Sequence, residues 1–351
     1  MRLDRKLEHI RLSLEQNKSN GYTGFNDIML VHNSLPQLNW NEVDTGCTFL
    51  GKKLRGPLLI NAMTGGHPQL ENINFSLARA AALTGVAMAV GSQRAAMETP
   101  AARRSFEVVR EANPDGVILA NLGADCTVDE AREAVKMIGA DGLQLHLNVP
   151  QELAMAEGDR NFKGILRNIE GLAQQLEVPL IVKEVGFGMS RESVACLHAS
   201  GIDYIDIGGA GGTDFMAIEE TRCGKKLNWD WGIPTAISLL EGLSVHSKGC
   251  LIASGGIDHA LDCIKALTLG CSLVGMARPL LRVLMDASDK GLVGYLEDLI
   301  QNMHRIMLML GAQKIEDLKK VPAVISGKSY HWLTLRGIDA HAYARRPGPC
   351  I

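Results

Sequence analysis

Eight short apolar runs, separated by longer segments of helical period, dominate the chain from residue 57 onward. They occupy residues 58–63, 86–90, 117–121, 142–147, 180–184, 204–208, 250–254 and 272–276. The runs are mostly continuous rather than alternating, which is typical of strands that are covered on both faces in a parallel sheet. This pattern predicts the α/β class.

Segments of helical period lie between the apolar runs. They cover residues 71–84, 128–138, 161–176, 191–199, 234–243 and 258–269. Thr127 and Ser190 precede two of these segments and are predicted to be their N-caps. Eight strand–helix units predict a (β/α)₈ TIM barrel. A doubly wound sheet is the alternative, but its glycine-rich turn would follow the first strand, whereas the glycine turns of this chain recur late.

Two regions lie outside the alternation. Residues 1–56 are predicted to form an N-terminal extension that begins with an amphipathic helix. Residues 209–233 form a long connection, and long loops inside compact domains are commonly lids or binding loops. We expect a single domain over residues 1–351, in which residues 57–351 form the barrel and a C-terminal extension.

The composition limits the class of function. The 36 Lys and Arg against 39 Asp and Glu give a net charge of −3, whereas nucleic-acid binding favours a basic domain. No apolar run approaches the roughly 18 residues of a membrane span, and no signal or transit peptide is visible. The eight cysteines have no metal-ligand spacing. We expect a cytoplasmic protein with a small-molecule substrate and neither a nucleic-acid nor a membrane partner.

Polar residues and glycines follow all eight runs, and the carboxyl ends of barrel strands form the active site in this fold. In chain order, the residues at or near the carboxyl ends of the runs include Met63, Thr64, Ser92, Gln93, Arg94, Asn121, His146, Asn148, Gln151, Glu152, Lys183, Thr213, Gly255, Gly256, Ala277 and Arg278. The last two strand ends predict a phosphate site, because loop N–H groups and helix N-termini there commonly bind phosphate. The same glycines could serve only to form tight turns.

Lys183 lies inside the apolar run LIVKE. Three roles are compatible with this position: a lysine whose head reaches the barrel rim, a Schiff base, or a cation that stabilises negative charge on a reduced flavin. The neutral hydrogen-bonding groups of Thr64, Ser92, Asn121 and Thr213, together with the phosphate site, favour FMN.

His146 lies near the carboxyl end of the fourth predicted strand, and Asn148, Gln151 and Glu152 follow that strand closely. A lone histidine at a strand end is usually structural, but two amides and a carboxylate accompany this one, which favours a functional site. One carboxylate with waters and substrate phosphates is a usual Mg²⁺ arrangement. Arg5, Lys6 and His9 place cations on the first helix, and such clusters are usually solvated.

A series of motifs runs in order along the chain. They are MTGG (63–66), SQR (92–94), NLG (121–123), LHLNVPQE (145–152), VKEVGFG (182–188), GGAGGT (208–213), WDWGIPTA (229–236) and SGG (254–256). The series resembles the type 2 isopentenyl-diphosphate isomerases, a family of FMN-dependent TIM-barrel enzymes. The resemblance covers essentially the whole chain.

The resemblance implies roles for individual residues. FMN would contact Ala62, Met63, Thr64, Ser92, Asn121, Lys183 and Thr213, and its phosphate would contact Gly255, Gly256, Ala277 and Arg278. The substrate would contact Arg5, Lys6, His9, Ser92, Gln93, Arg94, His146, Asn148 and Gln151, under a first helix that acts as a lid. Gln151, Lys183 and His146 would be catalytic, and Glu152 would bind Mg²⁺. Asp258 stands where several relatives place arginine, so phosphate contacts there would come from backbone donors.

The implied reaction is the reversible 1,3-allylic shift between isopentenyl and dimethylallyl diphosphate in isoprenoid biosynthesis. Reduced FMN beside Lys183 would supply electrostatic stabilisation and a proton, and NADPH or NADH would reduce it. A homotetramer or homo-octamer is expected. An FMN-dependent oxidoreductase of the α-hydroxy-acid oxidase or IMP-dehydrogenase type is the alternative, the latter requiring a nucleophilic cysteine such as Cys223. A non-catalytic phosphate-binding barrel would need neither Gln151 nor Glu152.

Overall fold

Strands and helices alternate along most of the chain. The computed structural model describes residues 2–15, 21–224, 229–247 and 249–349, and of residues 2–6 it describes only the backbone. The strands of this part are β1 (Ile28–Leu30), β2 (Cys47–Phe49), β3 (Lys52–Leu54), β4 (Leu58–Ile60), β5 (Ala87–Ala89), β6 (Ile118–Gly123), β7 (Gly142–Leu147), β8 (Leu180–Glu184), β9 (Tyr204–Asp206), β10 (Cys250–Ser254), β11 (Leu273–Met276) and β12 (Ala323–Ile325).

Helices surround these strands. They are α1 (Arg2–Glu15), α2 (Glu71–Thr84), α3 (Arg94–Glu98), α4 (Pro100–Ala112), α5 (Val128–Ile138), α6 (Val149–Ala154), α7 (Ile165–Gln175), α8 (Arg191–Ala199), α9 (Phe215–Cys223), α10 (Thr235–Leu243), α11 (Ala260–Leu269), α12 (Arg278–Leu310), α13 (Gly327–Leu335) and α14 (His341–Ala344). None of these described helices is both long and apolar enough to cross a membrane.

Strands β4 to β11 close into one parallel barrel in chain order, with β11 pairing back onto β4. Each of the eight overlaps one of the predicted apolar runs, so the predicted (β/α)₈ TIM barrel is confirmed. Strand β8 is buried along its whole length. This is expected because the surrounding helices cover one face of each strand and side chains fill the interior.

Two helix starts follow directly from the sequence. The Thr127 hydroxyl accepts a hydrogen bond from the N–H of Glu130 (3.2 Å), while the Glu130 carboxylate accepts from the N–H of Thr127 (2.8 Å). The Ser190 hydroxyl likewise accepts from the N–H of Ser193 (3.3 Å). Both predicted N-caps are therefore confirmed, since each satisfies N–H groups that have no partner within the helix.

The amino ends of the barrel strands are covered by the β2–β3 hairpin, which the sequence patterns do not predict. Phe49 and Leu54 are 3% and 6% exposed and pack against apolar side chains of the barrel strands. Lys52 fastens the hairpin, since its Nζ lies 2.6 Å from Asp141 Oδ1 and donates to the carbonyl of Gly116 (3.2 Å). The N-terminal extension thus closes one end of the barrel and leaves the carboxyl ends of the strands for a site.

Two predicted segments differ from the structure. The helix predicted over residues 161–176 begins at Ile165, because Gly164 adopts a left-handed conformation (φ 82°) that ends the preceding turn. The connection over residues 209–233 contains helix α9, capped by the Asp214 carboxylate, which accepts from the N–H of Ala217 (3.0 Å). Because α9 carries acidic and basic residues, its apolar period is weak and the sequence pattern misses it.

The C-terminal region is tied to the N-terminal extension. Strand β1 pairs antiparallel with β12, Ile28 lying opposite Ile325. Helix α12 is interrupted at Ser288, whose φ of 68° and ψ of −178° are not helical. The pairing of β1 with β12 joins segments that are far apart along the chain, so no local sequence pattern predicts it.

We predict that Phe49→Ala lowers the free energy of unfolding by about 3–5 kcal/mol, because the truncation leaves a cavity under the barrel. Urea denaturation measures the change. Leu35→Ala is the matched control, since Leu35 is 65% exposed and its loss should change stability by less than about 0.5 kcal/mol. Equal effects of the two substitutions would show that the hairpin does not support the barrel.

Candidate active site

A large cavity opens at the carboxyl ends of the barrel strands. Its volume is about 890 Å³, within the usual range of small-molecule sites. Helix α1 borders it through His9, Ile10 and Ser13. The predicted site residues that line it are His9, Ala62, Met63, Ser92, Arg94, Asn121, His146, Asn148, Gln151, Glu152, Lys183, Thr213, Gly255, Gly256, Ala277 and Arg278. The structure therefore brings most of the predicted residues together.

The structure does not bring the side chains of Thr64 and Gln93 to the cavity. Thr64 is 2% exposed and hydrogen-bonds Asn74. Gln93 is fully buried, where its Nε2 donates to the carbonyl of Ala134 (3.0 Å) and its Oε1 accepts from the N–H of Asn121 (3.0 Å). Both side chains are engaged inside the protein, and the ligand contacts predicted for these two residues stay predictions. Gln93 instead supports the backbone at Asn121.

The side chains of Arg5 and Lys6 lie outside the described part of the chain. Their roles in substrate binding stay predictions. Further along α1, His9 lines the cavity. The helix is held against the barrel because Arg222 donates to the Glu8 carboxylate (3.0 Å) and Arg282 donates to the carbonyl of Leu14 (2.9 Å).

Lys183 is paired with a buried carboxylate beneath the cavity. Its Nζ lies 3.0 Å from Asp206 Oδ2 and also donates to the carbonyl of Glu184 (3.1 Å). Asp206 is fully buried. A buried ion pair is tolerated only where further hydrogen bonds offset the loss of solvent. Asn61 (2.7 Å), Ser254 (2.5 Å) and the N–H of Gly208 (3.2 Å) supply them.

Sequence reasoning missed Asp206. A signal was present, since this acid interrupts the apolar run YIDIG. Its partner could not be read from the sequence, because Lys183 and Asp206 lie on neighbouring strands and meet only through the register of β8 with β9.

Glu219 is a second buried carboxylate that the sequence patterns missed. Its side chain is fully buried on α9, where Gln151 donates to it (3.0 Å), His9 Nε2 lies 2.9 Å away and Arg222 forms an ion pair with it. Burial acts to raise the pKa of Glu219, but the contacts with His9, Gln151 and Arg222 outweigh it and leave the pKa below the ordinary value. Glu219 therefore joins α1, α6 and α9 around a fixed negative charge.

Glu152 lies in the first turn of α6 and faces the cavity. Its Oε1 accepts from Asn148 Nδ2 (2.7 Å) and its Oε2 accepts from the N–H of Asp159 (2.9 Å). Each oxygen keeps lone pairs beyond these bonds, so the carboxylate is oriented and can still coordinate a cation.

Arg94 reaches the cavity while paired with two carboxylates. Its guanidinium donates to Asp125 (2.7 Å) and to Glu130 (2.9 Å). These bonds hold the planar group in one orientation, which suits recognition of a phosphate oxygen by its remaining N–H groups.

The loops after β10 and β11 line one end of the cavity with groups that suit an anion. Gly255 and Gly256 have φ values of 112° and 71°, which glycine adopts without strain. Within the described residues their N–H groups donate to no other backbone group. Burial and the neighbouring Arg282 guanidinium lower the pKa of Arg278, so an anion bound beside this pair would relieve their repulsion.

The chain is similar over almost its full length to several bacterial proteins that share one name. It is 47% identical to the isopentenyl-diphosphate delta-isomerase of Geobacillus sp. (strain WCH70), covering 98% of this chain and 99% of the relative. It is 48% identical to the protein of the same name from Bacillus licheniformis, with the same coverage. The chain belongs to the isopentenyl-diphosphate delta-isomerase family. The identity with the Symbiobacterium thermophilum member is 41% over 99% of both chains.

Two further comparisons concern the cofactor and the fold. Residues 155–324 match the family of FMN-dependent dehydrogenases, which supports FMN as the cofactor of this isomerase family member. Solved structures of mandelate oxidase with (S)-2-phenylpropionate (TM-score 0.66, 16% identity, 92% of this chain and 98% of that one) and of a flavocytochrome b2 variant with sulfite bound (TM-score 0.67, 19% identity, 89% and 81%) share the fold.

We predict a pH dependence of stability that arises from Glu184. Burial raises the pKa of this carboxyl to about 7, against an ordinary value of 4.5, even though the N–H groups of Gly186 and Phe187 lower it. Between these pH values the unfolded chain releases a proton that the folded chain keeps, so stability falls as pH rises from 4.5 to 7, by about 3 kcal/mol. Below pH 4.5 and above pH 7 the contribution is constant.

Urea denaturation of the wild type and of Glu184→Gln across this range provides the measurement. The amide oxygen of the substituted side chain would keep the bonds to the loop N–H groups without ionising, so the variant should lack this part of the slope. Parallel stability curves for the two proteins would contradict the assignment.

Proposed function

We propose that this chain catalyses the reversible 1,3-allylic rearrangement of isopentenyl diphosphate to dimethylallyl diphosphate, with reduced FMN and Mg²⁺, in isoprenoid biosynthesis. The observation that carries the proposal is the 48% identity to a relative named for this reaction over 98% of the chain. The chemistry of the cavity supports it.

The residues of the cavity fit FMN. Lys183 supplies a fixed cation, Ser92, Asn121 and Thr213 supply neutral polar groups, and the loop N–H groups with Arg278 suit a phosphate. A Cβ at Gly275 would lie 2.6 Å from Asn61 Nδ2, so glycine keeps the backbone close to the polar interior. When bound, reduced FMN supplies negative charge that stabilises a cationic transition state and a site for proton transfer.

Lys183 is suited to holding negative charge at the centre of the cavity. Asp206 on one side prevents the ammonium from swinging away, and the exposed part of the side chain faces the cavity. An ammonium held in this way is preorganised, so it stabilises an anionic ligand without reorganising during the reaction.

Gln151 is suited to positioning the reacting carbons or a proton. Its Nε2 donates to the buried Glu219 carboxylate (3.0 Å), so its amide oxygen is directed away from that carboxylate. His146, Asn148 and Arg94 line the same cavity and are suited to the diphosphate, and His9 on α1 would complete the enclosure. Excluding water from the site would protect a carbocation-like transition state.

Glu152 is suited to Mg²⁺ shared with the diphosphate. Asn148 and the N–H of Asp159 orient its two oxygens, and Asp159 also lines the cavity. Magnesium commonly binds through one or two carboxylates with substrate phosphates and waters.

The oxidoreductase alternative has weaker support. The mandelate oxidase and flavocytochrome b2 structures with the same fold are 16% and 19% identical to this chain, which concerns architecture only. Cys223 ends α9, and it does not belong to the described residues that line the cavity. NADPH or NADH as reductant, a homotetramer or homo-octamer, and a cytoplasmic location stay predictions from the sequence.

We predict many products per flavin under anaerobic conditions. The purified protein is loaded with FMN, which should give it a flavin spectrum, and reduced with one equivalent of NADH before isopentenyl diphosphate is added in excess. An isomerisation consumes no electrons, so turnover should continue while the flavin stays reduced. One product per flavin with reoxidation would establish the oxidoreductase alternative.

Gln151→Ala should lower the turnover rate by about 10²–10⁴, the usual contribution of a positioned proton-transfer group. Gln174→Ala is the matched control, since Gln174 is exposed on α7 and its loss should leave the rate unchanged.

We predict that Glu152→Gln raises the Mg²⁺ concentration needed for half-maximal activity, because a neutral amide binds this hard cation more weakly than a carboxylate. The flavin spectrum should stay the same. Glu177→Gln, a change at an exposed glutamate, serves as the control. If Glu152→Gln keeps the wild-type dependence on Mg²⁺, another group binds the metal.

A further inference from the structure

A row of buried side-chain amides crosses the interior of the barrel at the floor of the cavity. Asn61 directly follows β4, Asn121 lies on β6, and Gln144 lies on β7. All three are at most 2% exposed. A buried amide must find partners for both its oxygen and its nitrogen, so three adjacent amides restrict one another's orientation.

The row begins at the Asp206 carboxylate and ends at His146. Asn61 Nδ2 donates to Asp206 Oδ2 (2.7 Å), and Gln144 Nε2 donates to Asn61 Oδ1 (3.1 Å). Asn121 Nδ2 donates to Gln144 Oε1 (3.1 Å), and Asn121 Oδ1 lies 3.0 Å from His146 Nδ1. These four contacts form a continuous chain of hydrogen bonds.

The donor-to-acceptor direction of these hydrogen bonds is set at the Asp206 end of the row. An ionised carboxylate only accepts hydrogen bonds, so Asn61 must present its NH₂ group to Asp206. The oxygen of Asn61 also accepts from the backbone N–H of Ala62 (2.9 Å), which a flipped amide could not do. Two independent partners thus fix the orientation of Asn61.

The remaining orientations follow in order. Because Asn61 presents its oxygen to Gln144, Gln144 must donate its NH₂ group and keep its oxygen for Asn121. Asn121 then donates to Gln144 and presents its oxygen to His146. An amide oxygen can only accept, so His146 Nδ1 must carry a proton.

We infer that Asn61 and Gln144 are positioning residues that hold His146 in the Nδ1–H tautomer. The second ring nitrogen, Nε2, is then the one that can accept a hydrogen bond when the ring is neutral and donate one when the ring is protonated. The inference deepens the proposed function by assigning a state to the histidine beside the diphosphate. The tautomer follows from the hydrogen bonds alone, so it can be tested whether or not the protein catalyses the proposed reaction.

The test reads the tautomer directly. Full-length, FMN-loaded protein is labelled with ¹⁵N at histidine, and the ring nitrogen shifts are recorded at alkaline pH, where imidazole is neutral. His146→Gln identifies the resonances among the ten histidines, because only one set disappears. The wild type should show a protonated Nδ1 and an unprotonated Nε2 for His146.

The series of hydrogen bonds from Asp206 through Asn61, Gln144 and Asn121 to His146 is called the amide relay below. Two substitutions at Gln144 distinguish an effect of the relay's hydrogen bonds on the His146 tautomer from an effect of packing alone. Gln144→Met keeps the approximate volume but has no amide, so Asn121 is free to turn and both tautomers of His146 should appear. Gln144→Glu should behave like the wild type. Complete burial at this position favours a neutral carboxylic acid, whose O–H donates to Asn61 and whose carbonyl accepts from Asn121.

Asn113→Ala is the control for loss of a buried amide elsewhere. Asn113 is 2% exposed, accepts from the N–H of Gly116 (3.0 Å) and is not part of the relay. It should lower stability and leave the tautomer of His146 unchanged.

An Nε2–H tautomer in the wild type would overturn the inference, even if Gln144→Met failed to fold. Retention of the Nδ1–H form alone in Gln144→Met would also overturn it, as would loss of that form in Gln144→Glu. An Nδ1–H tautomer in a protein that does not isomerise isopentenyl diphosphate would reject the proposed function and leave the relay intact.

Discussion

A single buried carboxylate organises the polar interior of this barrel. Asp206 holds Lys183 by an ion pair and accepts from Asn61, which directly follows β4, and from Ser254 on β10. Each partner offsets part of the cost of keeping the carboxylate away from water. The same bonds fix the position of the lysine at the cavity and the direction of the amide relay. Removing Asp206 would leave a buried cation unpaired and release both.

A second carboxylate joins the barrel to its N-terminal helix. Glu219 lies on α9, contacts Gln151 on α6 and lies within ion-pair distance of His9 on α1. The position of the helix and the orientation of the proposed catalytic amide are therefore coupled through one charge. Because Arg222 contacts both Glu219 and Glu8, the coupling extends to a second point on α1. A displacement of α1 would therefore shift Glu219 and change the orientation of Gln151.

Close backbone packing shapes the proposed phosphate end of the cavity. A Cβ at Gly255 would lie 2.0 Å from the carbonyl oxygen of Gly209, and one at Gly256 would lie 2.2 Å from that of Gly211. No side chain fits at either distance. The glycines after β9 and β10 therefore let two loops lie backbone against backbone, which accounts for some of the 37 glycines of the chain.

Local patterns of the sequence determined the eight barrel strands, the caps at Thr127 and Ser190, and the set of residues at the strand ends. These follow from short-range preferences and from the rule that barrel sites lie at the carboxyl ends of strands. The tertiary structure alone decided that Gln93 turns into the protein, that α9 carries a buried carboxylate, and that a hairpin closes the barrel floor. It also decided which nitrogen of His146 carries the proton. Each of these depends on partners that are distant along the chain and are brought together only when the barrel closes, so no local pattern records them.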